Sequence, residues 1–160
     1  MTERDAFTAD QWRSLIDAAP AIARAVAVTV GSASQTVGEL GAFVKLVDRT
    51  ASDDPGGLLG AIVSDLHGRL AGGMPAERPV DPFMNGIEAA RIAGAILSIE
   101  ADPSDGDRVR AWFLSVAQVV AEAKWEGGVL GIGGEHVSQH EREAIAAIRD
   151  ALGVTGTEEA

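Results

Sequence analysis

Cysteine and tyrosine are absent from this sequence of 160 residues, and aromatic side chains occupy only 4% of its positions. Without cysteine the chain has no disulfide framework, no thiolate zinc site, no cysteine nucleophile and no iron–sulfur ligands. The hydrophobic fraction of 46% relies mainly on alanine and valine rather than on rings. We therefore expect a core of small side chains, which allows helices to approach one another closely.

Positive charge is scarce. Lys45 and Lys124 are the only lysines, and 13 basic residues stand against 24 acidic ones, which gives a net charge of −11. A field of this sign repels phosphate backbones, and no cluster of arginine or lysine reverses it locally. Nucleic acid is therefore not expected as a partner. Metal cations and basic protein surfaces fit an acidic chain better, and acidity also favours solubility.

Long apolar runs are missing as well. No stretch reaches the roughly 20 residues that a membrane span requires. The first five residues also lack the basic and apolar regions of a secretory signal. We therefore expect a soluble, cytoplasmic protein with no membrane span.

Apolar residues recur at helical spacing through most of the chain, and no segment has the alternation of a strand. The sequence predicts an all-α fold, a compact bundle of six or seven helices, several of them short, with a glycine-rich loop before the last helix. One helical domain is expected over residues 1–153, followed by an acidic flexible tail over residues 154–160. The predicted helices cover residues 9–19, 20–30, 34–51, 59–70, 82–101, 109–123 and 138–152.

The first helix has a clear start. Thr8 and Gln11 have the spacing of a capping box, and Phe7 and Trp12 that of a hydrophobic staple. Pro20 either bends this helix or opens the next one, because its fixed φ suits a first helical turn.

Two helices have a narrow edge of small residues. Ala21, Ala25 and Thr29 form one edge, and Ala90, Gly94 and Ser98 form another on the helix over 82–101. That second helix is apolar on all sides, which predicts a central position in the bundle. Small-residue edges suit close helix contact, within one chain or between two copies.

Residues 127–134 contain five glycines in eight positions, between two well-marked helices. The spacing is not that of a dinucleotide or phosphate loop, and the flanking Glu126 and Glu135 would oppose an anion. Two interpretations stay open: the loop folds its apolar residues into the core, or it forms a partner groove. The residues of this predicted interaction surface are Trp125, Val129, Leu130 and Ile132.

Residues 118–154 resemble the C-terminal half of TerB-like tellurite-resistance domains. The resemblance consists of an amphipathic helix, Glu126-Gly127, and Val137-Ser138 with Glu141 opening an alanine- and isoleucine-rich helix. Such domains are cytoplasmic helical bundles whose acidic residues are linked to metal binding and stress-related membrane complexes. The resemblance implies Glu126 and Glu141 as ligands of a divalent cation. Lys124-Trp125-Glu126-Gly127 stands where the family has alanine-aspartate-glycine.

Several charged residues have simpler interpretations. Asp102, Asp105 and Asp107 lack the spacing of a calcium loop and are expected to cap a helix, together with Ser104. His67 lies beside apolar residues, which predicts a half-buried structural histidine.

Arg24 and Arg91 are the only basic residues in mostly apolar helices. Each either reaches solvent or pairs inside the bundle. For Arg91 the nearest candidate partner is Glu88.

No catalytic constellation is recognisable, so a non-enzymatic helical domain that acts through protein contact is expected. The contact is either self-association, giving a homo-oligomer, or docking to a larger assembly. The alternatives are a metal-responsive TerB-like domain and a bundle that binds an apolar small molecule or lipid in a central cavity.

Overall fold

A computed structural model describes residues 1–28, 33–53, 55–73, 79–126 and 139–154, with the side chains of 33–37, 39 and 124–126 outside the description. Within these residues lie a short 3-10 turn, Arg4–Ala6, and six α-helices, with no strand. The predicted all-α bundle is confirmed, with six helices. They are α1 (Ala9–Ala27), α2 (Ala33–Asp53), α3 (Gly57–Ala71), α4 (Pro82–Glu100), α5 (Pro103–Glu126) and α6 (Gln139–Leu152).

The start of α1 follows the predicted capping chemistry. The Thr8 hydroxyl accepts a hydrogen bond from the Gln11 backbone N–H at 3.2 Å, and the Gln11 side chain accepts one from the Thr8 N–H at 2.8 Å. The rings of Phe7 and Trp12 lie 5.7 Å apart, centroid to centroid. Both the capping box and the staple are therefore confirmed.

Pro20 lies inside α1 and neither ends it nor opens another helix. The two short helices predicted over residues 9–19 and 20–30 are one helix of 19 residues. Proline removes the hydrogen bond that the carbonyl of Ile16 would accept. Burial on both sides of the proline compensates, because Ile16 and Ile22 are completely buried.

The centre of the bundle is α1, which corrects the prediction that the helix over 82–101 is central. Twelve of the 19 residues of α1 are buried, and α1 packs against each of the other five helices. Its many alanines let neighbours approach from every side. By contrast, α4 packs against α1, α5 and α6 and turns one side to solvent.

The predicted small-residue edges are the places where helices come closest. A Cβ atom on Gly86 of α4 would lie 2.4 Å from the Cβ of Ala25 and 2.8 Å from the carbonyl oxygen of Ala21, both in α1. A Cβ atom on Gly94 would lie 2.7 Å from the carbonyl oxygen of Leu152 in α6. Glycine is therefore required by space at both positions.

Glycine and capping residues set the other helix ends. Gly56 and Gly57 separate α2 from α3 with φ values of +63° and +57°, and Asp81 caps α4 by accepting from the Met84 N–H at 3.0 Å. Gly153 ends α6 with φ +72°, as predicted. The Val154 N–H then bonds back to the Arg149 carbonyl at 3.1 Å, which completes a Schellman motif.

Candidate functional site

Exposed large apolar side chains concentrate on α4 and just before it. Val80 is fully exposed, and Ile99, Met84 and Ile92 are 77%, 54% and 41% exposed. Only two other large apolar residues of the described chain, Met1 and Val28, are exposed to this extent. A cluster of exposed apolar side chains on one element is a recognised feature of interaction surfaces.

These residues share one side of the helix. With ~100° between successive residues, positions 84, 88, 91, 95 and 99 follow a single stripe along α4. Each of them is exposed, whereas Ala90, Ala93 and Leu97 on the opposite side are buried. We call the exposed side the α4 outer surface; it comprises Val80, Met84, Glu88, Arg91, Ile92, Ala95 and Ile99.

The two charged side chains of the α4 outer surface cancel, and the exposed Asp81 and partly exposed Glu100 lie at its two ends. Between residues 82 and 99 the only charged residues are Glu88 and Arg91, and their side chains form an ion pair one turn apart. The pair predicted for Arg91 therefore exists, but its side chains are 58% and 54% exposed, so it is not buried in the bundle. A neutral surface on a chain of net charge −11 is a local exception.

The small-residue edges, by contrast, are not available to a partner. Ala21, Ala25, Ala90 and Gly94 are buried, and the close contacts of Gly86 and Gly94 lie within the chain. These four residues are therefore covered by the bundle's own helices and cannot carry self-association, whereas Ser98 is exposed and Thr29 lies outside the described residues. The exposed side of α4 was instead missed, since its all-round apolar pattern is also typical of a central helix.

A buried arginine that sequence reasoning missed ties α4, α5 and α6 together. Arg110 is only 9% exposed. Its guanidinium donates to the Leu152 carbonyl at 3.1 Å, the Gly94 carbonyl at 3.2 Å and the Ser98 hydroxyl at 2.7 Å. It thereby caps the C-terminus of α6, where carbonyls lack helical partners. The signal available beforehand was its position at the edge of the apolar stripe of α5.

The three aspartates before and within the first turn of α5 have separate partners. Asp102 pairs with the Met1 ammonium at 2.7 Å, and Asp105 accepts from the Thr2 N–H at 2.5 Å. Asp107 pairs with Arg110 at 3.1 Å. Because α5 begins at Pro103, Ser104 lies inside its first turn rather than at the predicted cap.

These contacts attach the start of the chain to the α4–α5 turn, where Thr2 is buried. The Thr2 hydroxyl accepts from the Asp102 N–H at 2.7 Å. The hydrogen bond from the Thr2 backbone holds the pKa of Asp105 below its ordinary value. Hydrogen bonding to Asp102, and then its charge, raises the pKa of the Met1 ammonium.

The interaction surface predicted from the sequence falls outside the described residues. Residues 129, 130 and 132 and the side chain of Trp125 lie outside the description, as does the side chain of Glu126, a predicted metal ligand. Of the predicted metal ligands, only Glu141 is described; it lies on the inward side of α6 and is 4% exposed. The predicted cation site at Glu126 and Glu141 stays a prediction, and the described residues contain no group of three or more carboxylates and histidines placed to hold a metal.

His67 is about half-buried, as the sequence predicts. Its side chain is 51% exposed, and its Nε2 lies 3.2 Å from Oδ1 of Asp48, which links α3 to α2. The His67 side chain does not pack in the core, because Val63 and Leu66 occupy the buried side of α3.

Two open clefts flank α2. One of about 260 Å³ lies between α2 and α5, and its lining includes Lys45, Arg49 and Glu122. The other, about 300 Å³, includes His67, Ser52 and Ser64. Both are open clefts whose walls mix apolar and polar side chains, whereas a lipid-binding bundle requires an apolar cavity between its central helices.

Over the part of the chain that the structure describes, no helix has both the length and the apolar character to cross a bilayer. Comparison with family models, curated proteins and solved structures finds no match.

Proposed function

We propose that this protein is a non-enzymatic helical domain that acts through protein contact, and that the α4 outer surface makes this contact. The observation that carries the proposal is the concentration of exposed apolar side chains along one side of α4. Ile99 alone is 77% exposed, and fully burying a side chain of this kind stabilises a complex by ~1.5–3 kcal/mol. Three exposed apolar residues on α4, with Val80 just before it, supply a driving force for association.

The surface is also suited to rigid contact. It lies on a 19-residue helix that is fixed from behind at Gly86 by α1 and at Gly94 by α6. Its backbone therefore needs little reordering on binding, which reduces part of the entropic cost of association. Its exposed ion pair, Glu88 with Arg91, lies near the middle of the surface.

Site-specific photo-cross-linking tests the proposal. A benzophenone amino acid replaces Ala95 in one variant and Ala111 in the other; both alanines are exposed on helices, and Ala111 lies on α5. Each protein is irradiated in native lysate, and adducts are identified by mass spectrometry. We expect at least five-fold more protein adduct from position 95, and loss of that excess when Ile99→Asp is added. Equal yields from both positions would contradict the proposal.

A further inference from the structure

We infer that the partner of the α4 outer surface is a second copy of this chain, bound with the two α4 helices antiparallel around a two-fold axis. The inference rests on the proposed function and adds the identity and geometry of the partner. Its evidence is the distribution of charge over the molecule and the order of residues along α4.

Charge favours a second copy over a different protein. A basic partner drawn by the net charge of −11 would contact the acidic parts of the surface. Two copies of this chain repel one another wherever those acidic parts meet. At the centre of the α4 outer surface, where Glu88 and Arg91 neutralise each other, two copies can meet without that repulsion, and Asp81 and Glu100 lie only at its ends.

The order of residues supports an antiparallel, two-fold contact. When the axis passes between residues 89 and 90, Glu88 of each copy faces Arg91 of the other. In the same register Met84 faces Ala95, and Ile99 lies at the N-terminal end of the other copy's α4, which Val80 precedes. Opposite positions are therefore apolar with apolar or acid with base, the self-complementarity that a two-fold interface requires. Antiparallel helix dipoles add a favourable term.

Charge reversal tests this register. Glu88→Arg places two arginines opposite each other, and Arg91→Glu places two glutamates opposite each other. We expect the wild type to be dimeric at tens of micromolar in sedimentation equilibrium, and each single variant to dimerise at least ten-fold more weakly. An equimolar mixture of the two variants restores both acid–base contacts and is expected to form heterodimers. The double variant Glu88→Arg/Arg91→Glu is expected to recover the homodimer.

Two further variants serve as apolar test and control. Ile99→Asp is expected to abolish dimers, while Ala111→Asp adds the same charge on α5 and is expected to leave them intact. All the changed side chains are exposed, and circular dichroism melting confirms that each variant folds.

The inference is overturned if the wild type is monomeric at 100 μM, or if the single charge variants dimerise as tightly as the wild type. The proposed function fails separately. If the wild type is monomeric but position 95 cross-links a different protein, the second copy is excluded and protein contact through α4 stands. If the wild type is monomeric and position 95 gives no excess adduct, the homodimer and the proposed function are both overturned.

Discussion

Helices α1 and α4 are both 19 residues long and both rich in apolar residues, yet the bundle uses them differently. α1 is covered by five neighbours, and its apolar residues are core. α4 is covered on one side only, where it has glycine and alanine, and its larger Met84 and Ile99 face solvent. An apolar circumference therefore indicates burial only when enough neighbours exist to cover it. Where they do not, the uncovered side is available for association.

The largest effect is expected from truncating the same side chain in each helix. Ile16→Ala in α1 removes a completely buried side chain and leaves a cavity, so the free energy of unfolding should fall by about 2–5 kcal/mol. Ile99→Ala in α4 removes a side chain that is 77% exposed, and a change within ~0.5 kcal/mol is expected. Urea denaturation of the monomeric protein measures both. Similar losses at the two positions would remove the distinction between the helices.

An intermediate effect is expected at the glycines on the inner side of α4. Gly86→Ala and Gly94→Ala each force a Cβ against backbone atoms of a neighbouring helix, and overpacking of this kind costs roughly 1–3 kcal/mol. Gly68 in α3 is the matched control, because its Cβ would meet nothing within 4 Å. Gly68→Ala should stabilise the protein by ~0.5–1 kcal/mol, since alanine is the better helix former. The melting temperature should therefore fall for Gly86→Ala and Gly94→Ala and rise for Gly68→Ala. A Gly94→Ala variant that melts at a higher temperature than the wild type would contradict the packing described for α4 and α6.

The smallest effect concerns pH and the attachment of Thr2 beside the end of α4. The pKa of Asp105 is lowered in the folded protein, so its contribution to stability is present above the ordinary aspartate pKa of about 3.9 and is lost as pH falls through the lower folded value. Asp105→Asn should lower the melting temperature slightly at pH 6, and the difference from the wild type should shrink below pH 4. Asp5, an exposed aspartate in the short 3-10 turn before α1, provides the control as Asp5→Asn. A difference that stays constant down to pH 2 would show that the carboxylate charge of Asp105 is not involved.

Local signals were sufficient for much of the fold. Thr8 with Gln11 and Gly153 each set a helix end through bonds within a few residues, so the pattern alone predicted these ends correctly. Pro20 was harder, because a proline is tolerated inside a helix only when packing on both sides compensates for its missing donor. That packing comes from distant parts of the chain.

The candidate site was less predictable for the same reason. The apolar pattern of α4 identified the helix but could not indicate which of its sides a neighbour would cover. Arg110 was missed because its main acceptors, the carbonyls of Gly94 and Leu152, lie 16 and 42 residues away in sequence. The loop that the sequence emphasised, residues 127–134, lies outside the described residues.

The sequence by itself determined an acidic, cysteine-free, all-helical chain, with small residues where helices meet and caps where they begin, because these properties depend on composition and on contacts within a few turns. Only the tertiary structure decided that α1 rather than α4 is central, that the small residues of the helix edges pack against other helices of the same chain, and that Met84, Ile92 and Ile99 remain exposed. Burial is a property of the neighbours that a residue meets, and the neighbours of α4 come from segments far away in the chain.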